Sequence, residues 1–331
     1  MDPGPFLRGN AFPGVRGVPY PRAKPDPRLP RDTWNQASIP VGVRLEMSGT
    51  EARIAYRTGT EDLGYRGDGA GRSFSVWREN RLLDEQRAVP GEGEVTLKLG
   101  ETPSGHEDRA IVYLPEGMKP EILSVDGDIE PGTPDPRWVV YGDSVVEGWI
   151  ASGPALAWPA VAGREERLDV VNMGYAGAAR GEIPSAEHVA SLLPAGVVTI
   201  AYGTNCWTRT PHSIDMVRAG LEAFLDIVLR VDAETPVLVV SPILRPDAET
   251  TRNELGATLQ EIRSAIEEVA EAHERVGLIP GRELVSKAEL GDGIHPNDRG
   301  HAALARAIGP SARSVSRLRR TPPAPLPGGG A

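Results

Sequence analysis

Trp138-Val139-Val140-Tyr141-Gly142-Asp143-Ser144 is an apolar run that breaks directly into a Gly-Asp-Ser turn. A run this short and this continuous suits a strand buried on both faces. Similar runs follow at Leu168 to Val171, Val197 to Ala201, Val237 to Val240 and, more weakly, Val276 to Ile279. Helical patterns lie between them. The clearest predicts a helix over 252–274, where Leu255, Leu259, Ile262, Ile266 and Val269 recur at spacings of three and four. Strands alternating with helices predict a parallel sheet covered on both faces. In such sheets chemistry gathers beyond the carboxyl ends of the strands.

Upstream of Pro134-Asp135-Pro136 the texture differs. Val41, Val43, Leu45 and Met47 alternate with other residues, as do Ile54 and Tyr56, Phe74 and Val76, Val95, Leu97 and Leu99, and Ile111 and Tyr113. Period two in several short runs, separated by turns such as Gly67-Asp68-Gly69 and Pro90-Gly91, predicts an antiparallel sandwich-like domain over 36–130. Residues 1–35, rich in Pro, Gly and Arg, read as an N-terminal extended arm. The catalytic-type region is expected over 137–312. Residues 313–331, ending in a Pro- and Gly-rich stretch from Thr321, are expected to be a disordered tail.

Composition narrows the function. With 40% hydrophobic and 25% charged residues in 331, the bulk should fold as ordinary globular protein of about two domains. A net charge of −10 argues against a nucleic-acid partner, which needs a basic face. Cys206 is the one cysteine, so no internal disulfide forms. No signal-peptide core opens the chain and no apolar run is long enough to span a bilayer, so a cytoplasmic protein without a membrane partner is expected.

Four segments carry the residue types of a hydrolytic site. Ser144 sits in a tight strand-to-helix turn, where its hydroxyl faces a cleft and its N–H can donate to an oxyanion. Gly174, in Asn172-Met173-Gly174-Tyr175-Ala176-Gly177, can bring a backbone N–H close to substrate because no Cβ intervenes. Asn205, in Gly203-Thr204-Asn205, offers a neutral amide donor. Asp292-Gly293-Ile294-His295-Pro296 supplies a base and a carboxylate to orient it. The plainer alternatives are a helix cap for Ser144 or Asn205, a turn glycine for Gly174, and metal ligation for Asp292 and His295. No third His or Cys follows at a zinc spacing, so no metal is expected. Cys206 has no base placed beside it and reads as a small buried thiol. His301 reads as structural, Arg180 as a solvated loop charge, and Trp207 as a candidate wall of a substrate pocket.

Together the four blocks resemble the SGNH/GDSL hydrolases, over about 138–309. The first block reads GDSVVEG, and the family's Ser, Gly, Asn and His correspond to Ser144, Gly174, Asn205 and His295, with Asp292 three residues before the His. The resemblance implies a three-layer α/β/α flavodoxin-like domain and ester chemistry by a Ser144–His295–Asp292 triad without metal or cofactor. It also implies an oxyanion hole of Ser144, Gly174 and Asn205. The β region resembles, more loosely, the domain preceding the catalytic one in some carbohydrate esterases and in an acyltransferase that tailors a polyketide. A small-molecule ester, such as an acylated sugar or natural product, is the expected substrate. Acyl transfer by the same triad, or carbohydrate binding on a retired hydrolase fold, are the alternatives; retention of all five positions weighs against the latter.

The segments after the blocks are short and mixed: Gly148 to Trp158 carries Ser152, Gly153 and Pro154, and Gly177 to Pro184 carries Arg180 and Glu182. Neither makes a fatty-acid groove, and a compact pocket loses about 0.8 kcal/mol for each methylene it cannot bury. p-Nitrophenyl acetate or butyrate should therefore be cleaved faster than the decanoate or palmitate. A maximum of kcat/KM at decanoate or beyond would contradict a compact pocket.

Overall fold

In the computed structural model, the described residues are 1–318 apart from 16, 62–69, 79, 101–108 and 209. The turn expected at Gly67-Asp68-Gly69 lies outside them, as does the tail from 319. The first half is antiparallel: β1 (Leu7–Arg8), β2 (Arg44–Ser48), β3 (Glu51–Thr58), β4 (Ser73–Arg78), β5 (Arg81–Arg87), β6 (Glu92–Lys98), β7 (Ala110–Tyr113), β8 (Pro120–Asp126) and β9 (Glu130–Pro131). One sheet runs β1-β2-β7-β4-β5, with β9 on β2; a second runs β6-β3-β8. Alternation decides which face is buried: Ala52, Ile54 and Tyr56 of β3 point inward while Glu51 and Arg53 face solvent. Leu45, Met47, Phe74, Val76, Leu97, Val112 and Val125 share the core with them. The sequence pattern did not reveal β5. It is an edge strand of mostly charged residues, with Leu82 44% exposed, and charges on an edge discourage further pairing.

The second half holds β10 (Arg137–Gly142), β11 (Asp169–Gly174), β12 (Val197–Ala201), β13 (Val237–Val240) and β14 (Val276–Ile279). They pair in parallel in the order β11-β10-β12-β13-β14. The helices are α1 (Arg31–Ala37), α2 (Ser144–Glu147), α3 (Trp158–Glu166), α4 (Ile183–Ala190), α5 (Ile214–Val231), α6 (Leu259–Glu271) and α7 (Asp298–Leu318). Residues of α3 and α7 pack with one face of the sheet. Those of α4, α5 and α6 pack with the other. This is a three-layer α/β/α arrangement.

Two boundaries differ from expectation. Helix α6 starts at Leu259, not 252, because Thr258 and Glu261 form a reciprocal capping box. The Asn253 side chain folds the preceding residues into a turn by accepting the N–H groups of Leu255 and Ala257, and Leu255 is exposed. Helix α7 continues beyond 312 to Leu318 and buries Ala312 and Ser316, so 313–318 is helical and not part of a disordered tail.

Buried charges join the halves. Arg44 on β2 donates to Glu46 (2.8 Å), to Asp169 at the start of β11 (2.8 Å) and to the Val170 carbonyl (3.1 Å). Arg109 meets Glu46 at 2.6 Å and also pairs with Asp135. A buried charge is tolerable when partners surround it in this way, and costly when one partner is removed. The arm contributes apolar groups as well. Phe12, Ala23, Leu29 and Ala37 belong to the same buried cluster as Val171, Val189 and Ile200 of the parallel-sheet region.

Deleting residues 1–130 should therefore uncover one side of the second half. Losing the Phe12 and Leu29 side chains from the core and Arg44 from beside Asp169 should cost several kcal/mol. A 131–331 chain should melt well below the full chain or fail to fold. An unchanged melting temperature would contradict this coupling.

Candidate active site

The ends of β10, β11 and β12 come level, since Gly142 aligns with Gly174 on one side and with Ala201 on the other. The chain turns sharply at Gly142. A Cβ there would stand 2.2 Å from the Ala201 carbonyl oxygen and 2.3 Å from Val146 Cγ2, so only glycine fits. Asp143 then caps α2, its carboxylate accepting the Val145 N–H at 3.0 Å. Burial pushes its carboxyl up to about 6, although N–H groups of Val145, Thr204 and Asp143 itself, and the charge of Arg245, favour the ionised form. Ser144, the first residue of α2, is 5% exposed.

Ser144, His295 and Asp292 come together. His295 Nε2 lies 2.9 Å from Ser144 Oγ, and His295 Nδ1 lies 2.7 Å from Asp292 Oδ2. The neutral tautomer that suits both contacts carries its proton on Nδ1, donates it to Asp292, and accepts from the serine hydroxyl. Asp292 Oδ1 also accepts the N–H groups of Ile294 (2.9 Å) and His295 (2.7 Å). Partial burial raises the Asp292 carboxyl, but these bonds outweigh it and hold the group below the ordinary carboxylate range. The Trp149 ring lies 6.1 Å from the imidazole and packs against Ile39 and Val41 from the first half.

The expected oxyanion donors fare differently. Among the described residues the Ser144 N–H has no partner. Asn205 is buried, and its Nδ2 donates to the Ala179 carbonyl at 3.2 Å, which leaves the amide a second hydrogen. The Gly174 N–H is already committed, since it donates to Asn172 Oδ1 at 2.9 Å. The glycine at this position serves packing instead: a Cβ would stand 2.3 Å from the Glu147 nitrogen. In the same block, Gly177 has φ of +68° and open space where a Cβ would project. Its N–H has no partner among the described residues. The sequence signal for Gly177 was present, a second glycine three residues on, but only the hydrogen bonds separate the two. Asn172 also escaped notice; its Nδ2 donates to the Val146 carbonyl at 2.9 Å, so one side chain braces both α2 and Gly174.

Trp207 is half-buried, donates to the Thr251 carbonyl at 2.7 Å, and has the Arg245 guanidinium 4.9 Å above its ring. Cys206 is fully buried, and burial pushes its thiol far up, away from thiolate chemistry. His301 is buried against the Trp158 N–H and the Trp149 carbonyl. Arg180 is not solvated as expected; it is held by Asp32 of α1 at 2.7 Å and by the Gly177 carbonyl at 2.9 Å.

The parallel sheet between two helical layers thus carries a hydrogen-bonded Ser-His-Asp line at the carboxyl ends of its strands. Residues 140–303 match the model of the GDSL-like lipase/acylhydrolase family. No curated protein sequence matches the chain. Among solved structures, the salicylyl-acyltransferase SsfX3 from a tetracycline biosynthetic pathway is similar at 19% identity and a TM-score of 0.76, over 95% of both chains. A Bacteroides ovatus protein described as a GDSL-like lipase is similar at 18% identity and a TM-score of 0.74, over 94% of this chain and 95% of that one. A family two carbohydrate esterase from Clostridium thermocellum is similar at 15% identity and a TM-score of 0.60, over 82% and 91%. At these identities the likeness is one of fold.

The raised Asp143 carboxyl has a measurable consequence. Its folded-state value of about 6 lies above the ordinary 3.8, so between the two the folded protein binds more protons than the unfolded chain. The stability it contributes is therefore greatest at low pH and falls as pH rises from about 4 to about 6. Asp143→Asn, which cannot titrate, should gain on wild type across that interval by on the order of 3 kcal/mol. Urea melts of both proteins at about pH 4 and about pH 7 check this. A stability difference independent of pH would contradict it.

Proposed function

We propose that the protein is a serine esterase that cleaves a short or compact acyl ester through an acyl-enzyme. The observation that carries this reading is the unbroken line from Ser144 Oγ through His295 to Asp292, with bonds of 2.9 and 2.7 Å. His295 Nε2 takes the Ser144 proton as Oγ attacks the ester carbonyl carbon. Asp292 accepts from Nδ1 and stabilises the imidazolium. The tetrahedral oxyanion is held by the N–H groups of Ser144 and Gly177 and by the Asn205 amide; Gly177 replaces Gly174 in this role. The bond to the alcohol oxygen then breaks as His295 returns the proton to it. Water, deprotonated by the same imidazole, attacks the acyl carbon and frees Ser144. None of these steps calls for a metal or cofactor.

A second reading, transfer of the acyl group to an alcohol in place of water, has one specific support. The fold is shared over 95% of both chains with the salicylyl-acyltransferase SsfX3. An aromatic acyl group would suit a pocket walled by Trp207. Product analysis with and without added alcohols separates the two readings, since only transfer yields a new ester.

Ser144→Ala should fold as wild type and lose nearly all turnover of acyl esters, acetylated sugars included. Asn205→Ala should lower kcat by about 10²–10³ with a smaller change in KM, as befits a donor used mainly in the transition state. Turnover above a few per cent in Ser144→Ala, or an Asn205→Ala change confined to KM, would contradict these roles.

A further inference from the structure

Arg22 belongs to the N-terminal arm, far in sequence from the four blocks, yet it is 1% exposed. Its guanidinium is surrounded. Nε donates to the Ile39 carbonyl at 2.7 Å and Nη2 to the Gln36 carbonyl at 2.6 Å. Nη1 donates to the Gly174 carbonyl. Nη2 also stands 3.7 Å from the Glu147 carboxylate, itself fully buried. The plane of the guanidinium lies near the Tyr175 ring, 5.3 Å from its centroid, and the Tyr175 hydroxyl donates to the Arg22 carbonyl at 2.7 Å.

These contacts converge on three consecutive residues of the loop after β11. The Gly174 carbonyl points at Arg22, and the N–H of the same peptide, on Tyr175, donates to the Gly142 carbonyl at 2.8 Å. The Ala176 N–H donates to Glu147 Oε2 at 2.7 Å. The Tyr175 carbonyl accepts from Ala178 and Ala179, both at 3.1 Å. Each named backbone group of residues 174–176 is thereby turned toward the protein. The next N–H, that of Gly177, is left over. An arginine buried under a loop is costly unless its donors are used; here they go to the Ile39, Gln36 and Gly174 carbonyls, and the Glu147 carboxylate that holds the adjacent N–H offsets the charge from 3.7 Å.

We propose that Arg22, acting with Glu147, is a positioning residue for the oxyanion hole: it fixes the peptides of Gly174 to Ala176 so that the Gly177 N–H is presented to the reacting carbonyl oxygen. The arm before the β sheets then takes part in catalysis through the loop, in addition to covering the core. The inference rests on the acyl-enzyme reading at Ser144.

The test uses the full chain. Arg22→Met should lower kcat by about 10- to 100-fold, the scale on which a misplaced donor costs rate, with KM changed by no more than about threefold. Arg22→Lys, which keeps the charge toward Glu147 but not the fork of donors, should fall between. The acid limb of the kcat/KM profile should not move, because the Ser144–His295–Asp292 contacts are untouched. Labelling of Ser144 by a fluorophosphonate, which also develops an oxyanion, should slow in step with kcat. If Arg22→Met does not fold, Tyr175→Phe decides: it removes only the bond to the Arg22 carbonyl and should lower kcat several-fold at constant KM. A kcat equal to wild type in folded Arg22→Met, or in Tyr175→Phe, overturns the proposal even if melting temperature falls. Ser144→Ala measured alongside keeps the two inferences apart. Surviving activity there removes the acyl-enzyme reading. An inactive Ser144→Ala with unchanged kcat in the Arg22 and Tyr175 variants removes only the positioning role.

Discussion

The Asp143 carboxylate is buried beneath the turn that presents Ser144 and accepts the Val145 N–H at 3.0 Å, which holds Ser144 at the start of α2. The Tyr175 N–H donates to the Gly142 carbonyl at 2.8 Å, so the loop after β11 is tied to the same turn. Burial makes the anion expensive enough that every N–H it accepts matters. The glycines do the complementary work. Gly142 and Gly174 let β10, β11 and α2 approach to distances that a Cβ would forbid.

The second constraint comes from the first half of the chain. Arg44 and Arg109 form a buried network with Glu46, Asp135 and Asp169, and its geometry requires partners from both halves. Phe12 to Ala37 complete a core that the parallel sheet cannot close alone. Ile39 and Val41 then reach Trp149 beside His295, while Arg22 reaches the loop of Gly174. The same segment thus braces Trp149, which lies beside His295, and the loop of Gly174. Rigid elements that hold a loop from several directions are what keep a catalytic donor in place without reorganisation.

The parallel strands were legible in the sequence because burial on both faces leaves continuous apolar runs. Val197 to Ala201 and Val237 to Val240 read directly as strands with the bounds found. The polar edge strand β5 was not legible, because its pattern is set by solvent and not by the core. Helix α6 was overextended because Leu255 fits the helical period while being exposed; the stronger local signal was Thr258 with Glu261. Ser144, His295 and Asp292 were legible as residue types in order. The distinction between Gly174 and Gly177 was not, since it depends on Asn172 occupying one N–H and leaving the other. Arg22 gave no signal at all. Its partners are mostly carbonyl oxygens, and no sequence pattern records where a backbone carbonyl points.

The proposed mechanism requires that a carbonyl oxygen bound at Ser144 meet three donors drawn from three separate loops. A crystal structure of the full chain after reaction with a fluorophosphonate tests it directly, because the phosphonyl oxygen takes the place of the oxyanion. The mechanism predicts an adduct on Ser144 Oγ whose oxygen lies about 3 Å from the backbone nitrogens of Ser144 and Gly177 and from Asn205 Nδ2. An adduct on another residue, or an oxygen turned away from Gly177 and Asn205, would contradict it.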